Sequence, residues 1–264
     1  MREGRHSFTA GYLLWVSAVL CGLLQVNAMA EADNQLLRHL SLPLETQQII
    51  LVTAPDMDSS AGLLRRWERS SPTVPWQECA TRHPVTLGRL GLAWGLGLHE
   101  VPDHAPKKRE GDRKSPIGIF RLGSAFGYAA NPPAGVRWPY RQATERDFFV
   151  DDPASADYNR WVTLDPGAPE PLWKSFERMH REDHLYRYGI VVEHNPSPAV
   201  PGRGSAIFLH IWKGPGQPTS GCTAMEAADL ITLLQWLRPG AHPLLIQGSD
   251  ADFRTLRLRP ASGT

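Results

Sequence analysis

Cysteine is scarce in this sequence, at three in 264 residues, and the first of them, Cys21, lies in a stretch that reads as a removable leader. The two that remain, Cys79 and Cys222, exclude a disulfide-rich scaffold and leave room for one bridge at most. Net charge is equally scant. The formal balance is +1 over the chain, and without Arg2, Glu3 and Arg5 of the leader it is neutral. No basic excess is left to favour nucleic acid or an anionic membrane surface. The N-terminal apolar run, Leu13–Val26, falls short of the ~20 residues that a membrane span needs. No internal repeat is visible. What is present is length enough for one large domain with a buried core, whose substrate must be chosen by local groups.

The N-terminus has the order of a secretory signal: basic Arg2 and Arg5, the run LLWVSAVLCGLLQV, and the small residues Ala28-Met29-Ala30. Residues 1–30 are therefore expected to be cleaved, with a mature start near Glu31 and an exported, periplasmic or cell-envelope product. A retained signal anchor is the alternative. Bulky Leu20 ahead of Cys21 does not suit a lipoprotein signal. Residues 31–46 read as a linker, 47–248 as the main domain and 249–264 as a C-terminal tail.

Apolar, β-branched and aromatic runs of strand length recur between Pro- and Gly-rich turns. Strands are predicted at Gln48–Thr53, Leu63–Glu68, Pro84–Leu87, Ile117–Leu122, Tyr188–Glu193, Ala206–Trp212 and Pro243–Gln247. One segment has a strong helical period. From Thr223 to Leu237, the residues Ala227, Leu230, Ile231, Leu234 and Leu237 share a face, and Pro239-Gly240 ends the run. A weaker helix is predicted from Pro171 to Asp183. The Pro-, Asp- and Ala-rich stretch between Asn131 and Pro171 reads as a long insertion or surface lid. The fold class is mainly β, a β-rich α+β domain.

The chemistry concentrates in SAIFLHIWKGPGQPTSGCTAM, residues 205–225. A strand carries His210, a Gly/Pro loop follows, and Cys222 is expected at the start of the helix. There the free N–H groups and the positive dipole end would favour a thiolate, and a neighbouring imidazole would take its proton. The same N–H groups, beside Gly221, would hold an oxyanion in acyl transfer. A structural thiol, or half of a Cys79–Cys222 bridge, is the plainer reading of the cysteine, and a satisfied strand histidine that of His210.

The Ser205–Met225 stretch resembles the active-site region of L,D-transpeptidases of the YkuD type, in which a strand histidine precedes a Ser/Thr-His-Gly-Cys-x-Arg element. Thr219, Gly221 and Cys222 match that element, and His210 matches the upstream base. Gly111-Asp112-Arg113-Lys114-Ser115-Pro116-Ile117-Gly118-Ile119-Phe120 resembles the family's G-D-x-x-T-P-x-G-x-F run, and the Trp173–Asn195 stretch is also similar. The resemblance spans residues 47–248. It implies a single β-sandwich-like domain with Cys222 as nucleophile and His210 as proton donor and acceptor, the histidine being oriented by a backbone carbonyl. The implied reaction is cross-linking of peptidoglycan stem peptides through a cysteine thioester, without cofactor or metal. Hydrolysis at the same site, as an L,D-carboxypeptidase or amidase, is the rival reading, and a non-catalytic wall-binding module is a more distant one. The protein is expected to act as a monomer.

This sequence departs from the family pattern in two places. Ser220 stands where histidine is usual and Ala224 where arginine is usual, which marks a subgroup with an S-G-C-T-A-M motif. His210 and Cys222 are also closer in sequence than is common. With no arginine clamp, substrate contacts are expected from Thr219, Ser220, Gly221, Thr223 and Trp212, with Lys213 and helix N–H groups as further donors. His180 and His184, four apart in a predicted helix, offer a weak zinc pattern lacking a third ligand. The Lys107–Lys114 run (KKREGDRK) reads as a solvated loop in which Asp112 is structural, and Cys79 as a buried thiol outside the chemistry.

Overall fold

The computed structural model describes residues 35–40, 42–169 and 172–259. The leader expected over residues 1–30 lies outside them. The chain divides into two units, Met1–Ser41 and Leu42–Thr264; in the first, residues 35–39 form a helical turn. Among the described residues no helix is long and apolar enough to cross a membrane.

The second unit is mainly β. Its strands are β1 (Gln48–Ala54), β2 (Ala61–Glu68), β3 (Gln77–Thr86), β4 (Leu92–Trp94), β5 (Ser115–Gly127), β6 (Tyr140–Gln142) and β7 (Asp147–Val150). They continue with β8 (Arg160–Thr163), β9 (Phe176–Arg178), β10 (Tyr188–Val192), β11 (Phe208–Ile211), β12 (Thr223–Met225) and β13 (Leu244–Ser249). Two helices, α1 (Ala227–Trp236) and α2 (Asp250–Thr255), flank β13 in the chain.

The strands do not form the expected sandwich. A ten-stranded sheet runs β10–β11–β12–β3–β2–β1–β13–β5–β4, with β6 as the tenth strand paired to β5; β5 also pairs with β10, so the sheet closes on itself as a barrel. Closure depends on the length of β5. Its first half pairs with β13 (Gly118↔Gln247 to Arg121↔Leu244) and its second half with β10 (Leu122↔Val192 to Gly127↔Tyr188). A register shift between Ile190 and Val192 lets β10 bend where it meets β5, the usual way for a sheet to turn a corner. Closure also removes the open edges that a sandwich would have to protect.

The central strands are buried on both faces, which is why β1 and β13 read as near-continuous apolar runs rather than alternating ones. They pair in parallel, Ile49↔Leu244 to Ala54↔Ser249. The α1 helix adds Leu230, Leu233 and Leu234 to the core, each stabilising by on the order of 2–5 kcal/mol relative to alanine. It begins later than the sequence suggested. Glu226 is its N-cap, accepting from the backbone N–H of Ala228 and Asp229, while Thr223–Met225 is strand β12, in parallel with β11.

The helix predicted over Pro171–Asp183 is not formed. Phe176–Arg178 is instead β9, and with β7 and β8 it makes a separate three-stranded sheet in the order β8–β7–β9. This cap is tied together by Asp147, whose carboxylate accepts from Thr144 N (2.8 Å), Thr144 Oγ1 (2.6 Å) and Trp161 Nε1 (2.8 Å), and from Thr163 Oγ1. Burial alone would raise the Asp147 pKa, but these donors outweigh it and the carboxyl sits below its ordinary value. The cap docks on the barrel through aromatics: Phe149 meets Phe208 at 5.1 Å and Trp161 meets Phe126 at 5.6 Å.

Past β13, the segment 249–259 is folded against the barrel. Ser249 and Asp252 form a capping box at the start of α2, and Leu258 bridges His99.

Candidate active site

Strand periodicity puts Phe208 and His210 on one side of β11. Tyr186 touches both, edge-on, at 5.5 Å from Phe208 and 5.2 Å from His210. Cys222 belongs to the same buried cluster and stands immediately before β12, whose Thr223 and Ala224 pair with Leu209 and His210. Cys222 and His210 therefore come together because two parallel strands run side by side, with the loop 212–221 joining them.

The cysteine is not at a helix start, and its thiol is not held as a thiolate. Cys222 Sγ accepts from Phe208 N (3.3 Å) and donates to Ala206 O (3.4 Å). Burial pushes its pKa up to about 12, against a smaller lowering influence from the Phe208 N–H. His210 is depressed to about 4 by its own burial, although its bond to the Ile211 carbonyl favours the charged form. At neutral pH the pair is thus a thiol and a neutral imidazole. His210 Nδ1 lies 2.7 Å from Ile211 O. A carbonyl only accepts, so Nδ1 carries the proton and Nε2 carries the lone pair. The backbone carbonyl bonded to His210 is that of Ile211.

The two sequence motifs meet at the cysteine's own carbonyl. Ser115 Oγ donates to Cys222 O at 3.0 Å and accepts from Gly88 N at 2.8 Å, while Thr219 Oγ1 donates to Cys222 O at 2.6 Å and accepts from Gly221 N at 3.0 Å. Gly88 and Thr219 also bridge in parallel. The Cys222 backbone is pinned from both sides. Gly221 just before it has φ +149°, which a residue with a side chain rarely adopts.

A cavity of about 310 Å³ opens over this arrangement and is lined by both Cys222 and His210. Of the expected substrate contacts, Trp212, Thr219, Ser220, Gly221 and Lys213 border it. Thr219 spends its hydroxyl proton on the Cys222 carbonyl, which makes it a positioning residue. Thr223 does not border the cavity; its hydroxyl donates to Gln247 Oε1 at 2.6 Å in the core. Ala224 does face the cavity, but from a strand rather than a helix turn. The helix N–H groups proposed as oxyanion donors are absent from this spot, since α1 starts four residues beyond Gly221–Cys222–Thr223.

Several lining groups were not anticipated. Lys108, in the run expected to be a solvated loop, is buried, and its Nζ donates to Asp112 Oδ1 at 2.6 Å. Asp112 also accepts from the backbone of Arg109 (2.8 Å) and Lys114 (2.9 Å), so this carboxylate folds the whole loop. From the cap, Asp151, Glu177 and Arg181 border the cavity. Arg181 grips Asp183 with two bonds, of 3.0 and 2.8 Å, and lies over the Tyr186 ring at 5.0 Å. With no helix over 180–184, His180 and His184 do not share a helical face, and His180 stacks on Tyr128 at 4.4 Å. Among the described residues no group of three or more His, Cys, Asp and Glu could hold a metal ion. Cys79 is a free, half-buried thiol, and so is Cys222 a free one.

The model of the YkuD L,D-transpeptidase catalytic domain matches residues 75–246. The chain belongs to this family. The match runs from the start of β3 into β13 and includes both motifs, the cap, and the Cys222–His210 pair. Strands β1 and β2 precede it, yet they complete the L,D-transpeptidase barrel between β13 and β3. No curated protein and no solved structure matches the chain.

Proposed function

We propose that this protein is an exported peptidoglycan L,D-transpeptidase that cross-links stem peptides through a thioester on Cys222. Family membership supports the reaction class. The observation that carries the assignment of roles is His210 Nδ1 bonded to Ile211 O, which leaves Nε2 as an acceptor in the cavity that Cys222 lines.

In this reading Cys222 Sγ attacks the stem carbonyl that follows the L-centre of the third residue. The thiol proton passes to His210 Nε2 as the S–C bond forms, so a buried, high-pKa thiol reacts without first becoming a free thiolate. The C–N bond then breaks, His210 returns the proton to the departing amine of D-alanine, and a thioester remains. The amine of a second stem attacks that thioester, losing its proton to His210 and regenerating the thiol. The test is muropeptide analysis after incubation with purified tetrapeptide stems. Cross-linked dimer supports the reading, and tripeptide without dimer assigns hydrolysis instead.

Ala224 bears on substrate choice. It is fully buried beside the paired His210, so an arginine there would have to enter the cavity. Ala224→Arg is expected to lower turnover of the native stem roughly 10- to 100-fold, the scale of an ångström's misplacement of reacting groups, or to shift which cross-link forms. More of the same dimer from that variant would show that the site merely lacks the family's arginine.

A further inference from the structure

Lys108 is 3% exposed, and long cations are seldom so buried unless paired. Its partner is Asp112, at 2.6 Å, and its one other acceptor is Arg109 O, at 3.4 Å. An ammonium has three N–H donors, so one has no protein acceptor among the described residues. The structure makes room for this side chain at Gly204 and brings its ammonium to contact distance of Gly221. A β-carbon on Gly204 would fall 3.0 Å from Lys108 Cγ, and one on Gly221 would lie 3.7 Å from Nζ. The ammonium therefore sits beside the residue that precedes Cys222, in the wall of the cavity.

The other cations of that wall are placed differently. Arg89 and Lys213 are exposed, and Arg181 has its guanidinium occupied by Asp183 and Glu177. Among the cations of that wall Lys108 alone is both buried and one bond short, and it lies next to the nucleophile. An unsatisfied buried donor calls for an acceptor, and the one best suited to a held ammonium is an anion.

We propose that Lys108 binds the free carboxylate of the leaving residue of the donor stem, supplying the anion contact that Ala224 cannot make. This rests on the transpeptidase reading, in which the departing residue is the C-terminal one, so that its carboxylate lies within a few bonds of the carbonyl under attack. Asp112 keeps the ammonium aimed. The contact restricts the donor to stems that end at that residue, because a longer or amidated stem presents no charge there.

A cycle across protein and substrate tests this. Wild type, Lys108→Met and Lys108→Arg are each given the tetrapeptide stem as the free acid and as its C-terminal carboxamide, and kcat/KM for Cys222 acylation is measured. Wild type is expected to prefer the acid about 10- to 100-fold, the usual worth of a hydrogen bond to a charged group. Lys108→Met should lose most of that preference by slowing on the acid alone, and Lys108→Arg should keep part of it. An undiminished preference in Lys108→Met, or an equal loss on both stems, overturns the proposal; equal loss would instead place Lys108 at the reacting carbonyl or in the scaffold. Wild type alone serves if the variants do not fold: equal rates on acid and amide also overturn it. Failure of wild type to acylate with either stem is a different result, since it removes the transpeptidase reading itself.

Discussion

Alanine in place of His210 is expected to slow acylation by a tetrapeptide stem about 100- to 10,000-fold, the range for a lost general base. The state of the cysteine sets this dependence. A thiol at about 12 has almost no thiolate at neutral pH, so attack requires removal of the proton during the step itself. The neutral imidazole, at about 4, is available for this across the whole neutral range. The acid limb of acylation should accordingly fall near pH 4 to 5 rather than near 6.5, and the basal alkylation of Cys222 by iodoacetamide should stay slow until well above pH 9. Single-turnover acylation followed by mass spectrometry reads the first two, and the mass gain on the Cys222 peptide with iodoacetamide reads the third. A His210→Ala protein acylating within a few fold of wild type would transfer the base's role to another group.

A second large effect is expected on stability. Three buried histidines are held neutral: His99 at about 4, His194 at about 3 and His210 at about 4, each depressed mainly by burial. His99 sits between Trp94 and Phe120, with Nδ1 accepting from Ile119 N at 3.1 Å. His194 accepts from Leu96 N, donates to Arg203 O, and has the Lys108 charge beside it. Because the folded values lie below the unfolded value of 6.5, the unfolded chain takes up the protons first. Stability is whole above pH 6.5 and falls as pH drops from about 6.5 toward 4, by about 3 kcal/mol per histidine at pH 4. Asp147, whose folded pKa is also lowered, adds to the loss only below about pH 4, so the histidine window is separable. Urea midpoints should fall steeply between pH 6.5 and 4.5, and His99→Gln should flatten the slope by about one proton. Midpoints constant over that interval would mean these histidines are already charged or solvated in the folded protein.

The sequence made legible what depends on near neighbours. Turn-bounded β-branched runs located seven of the strands, and the leucine stripe from Ala227 located α1, because both patterns arise within a few residues. His210 and Cys222 stood out because the Gly/Pro loop joins them directly. Barrel closure was hidden, since it rests on β5 meeting β10 some sixty residues on, and strands of a barrel and of a sandwich carry the same pattern. The three residues of β12 are too few to show a period of their own, so in the sequence they merge with the leucine stripe, which puts Cys222 at a helix start and Thr223 toward the cavity where the structure has a strand and a core hydroxyl. Lys108 and Arg181 were concealed by their surroundings: charged runs are usually solvated, and nothing local in KKREGDRK distinguishes the lysine that Asp112 holds inward. Gly204, which accommodates it, is distant in sequence.

The central claim, that Cys222 carries the acyl group, is tested most directly by peptide mass mapping after incubation with a tetrapeptide stem. The expected result is one added acyl group, located on the peptide that contains Cys222, with its loss on addition of an acceptor stem and its absence from Cys222→Ala. An adduct on the Cys79 peptide, or undiminished cross-linking by Cys222→Ala, would contradict it.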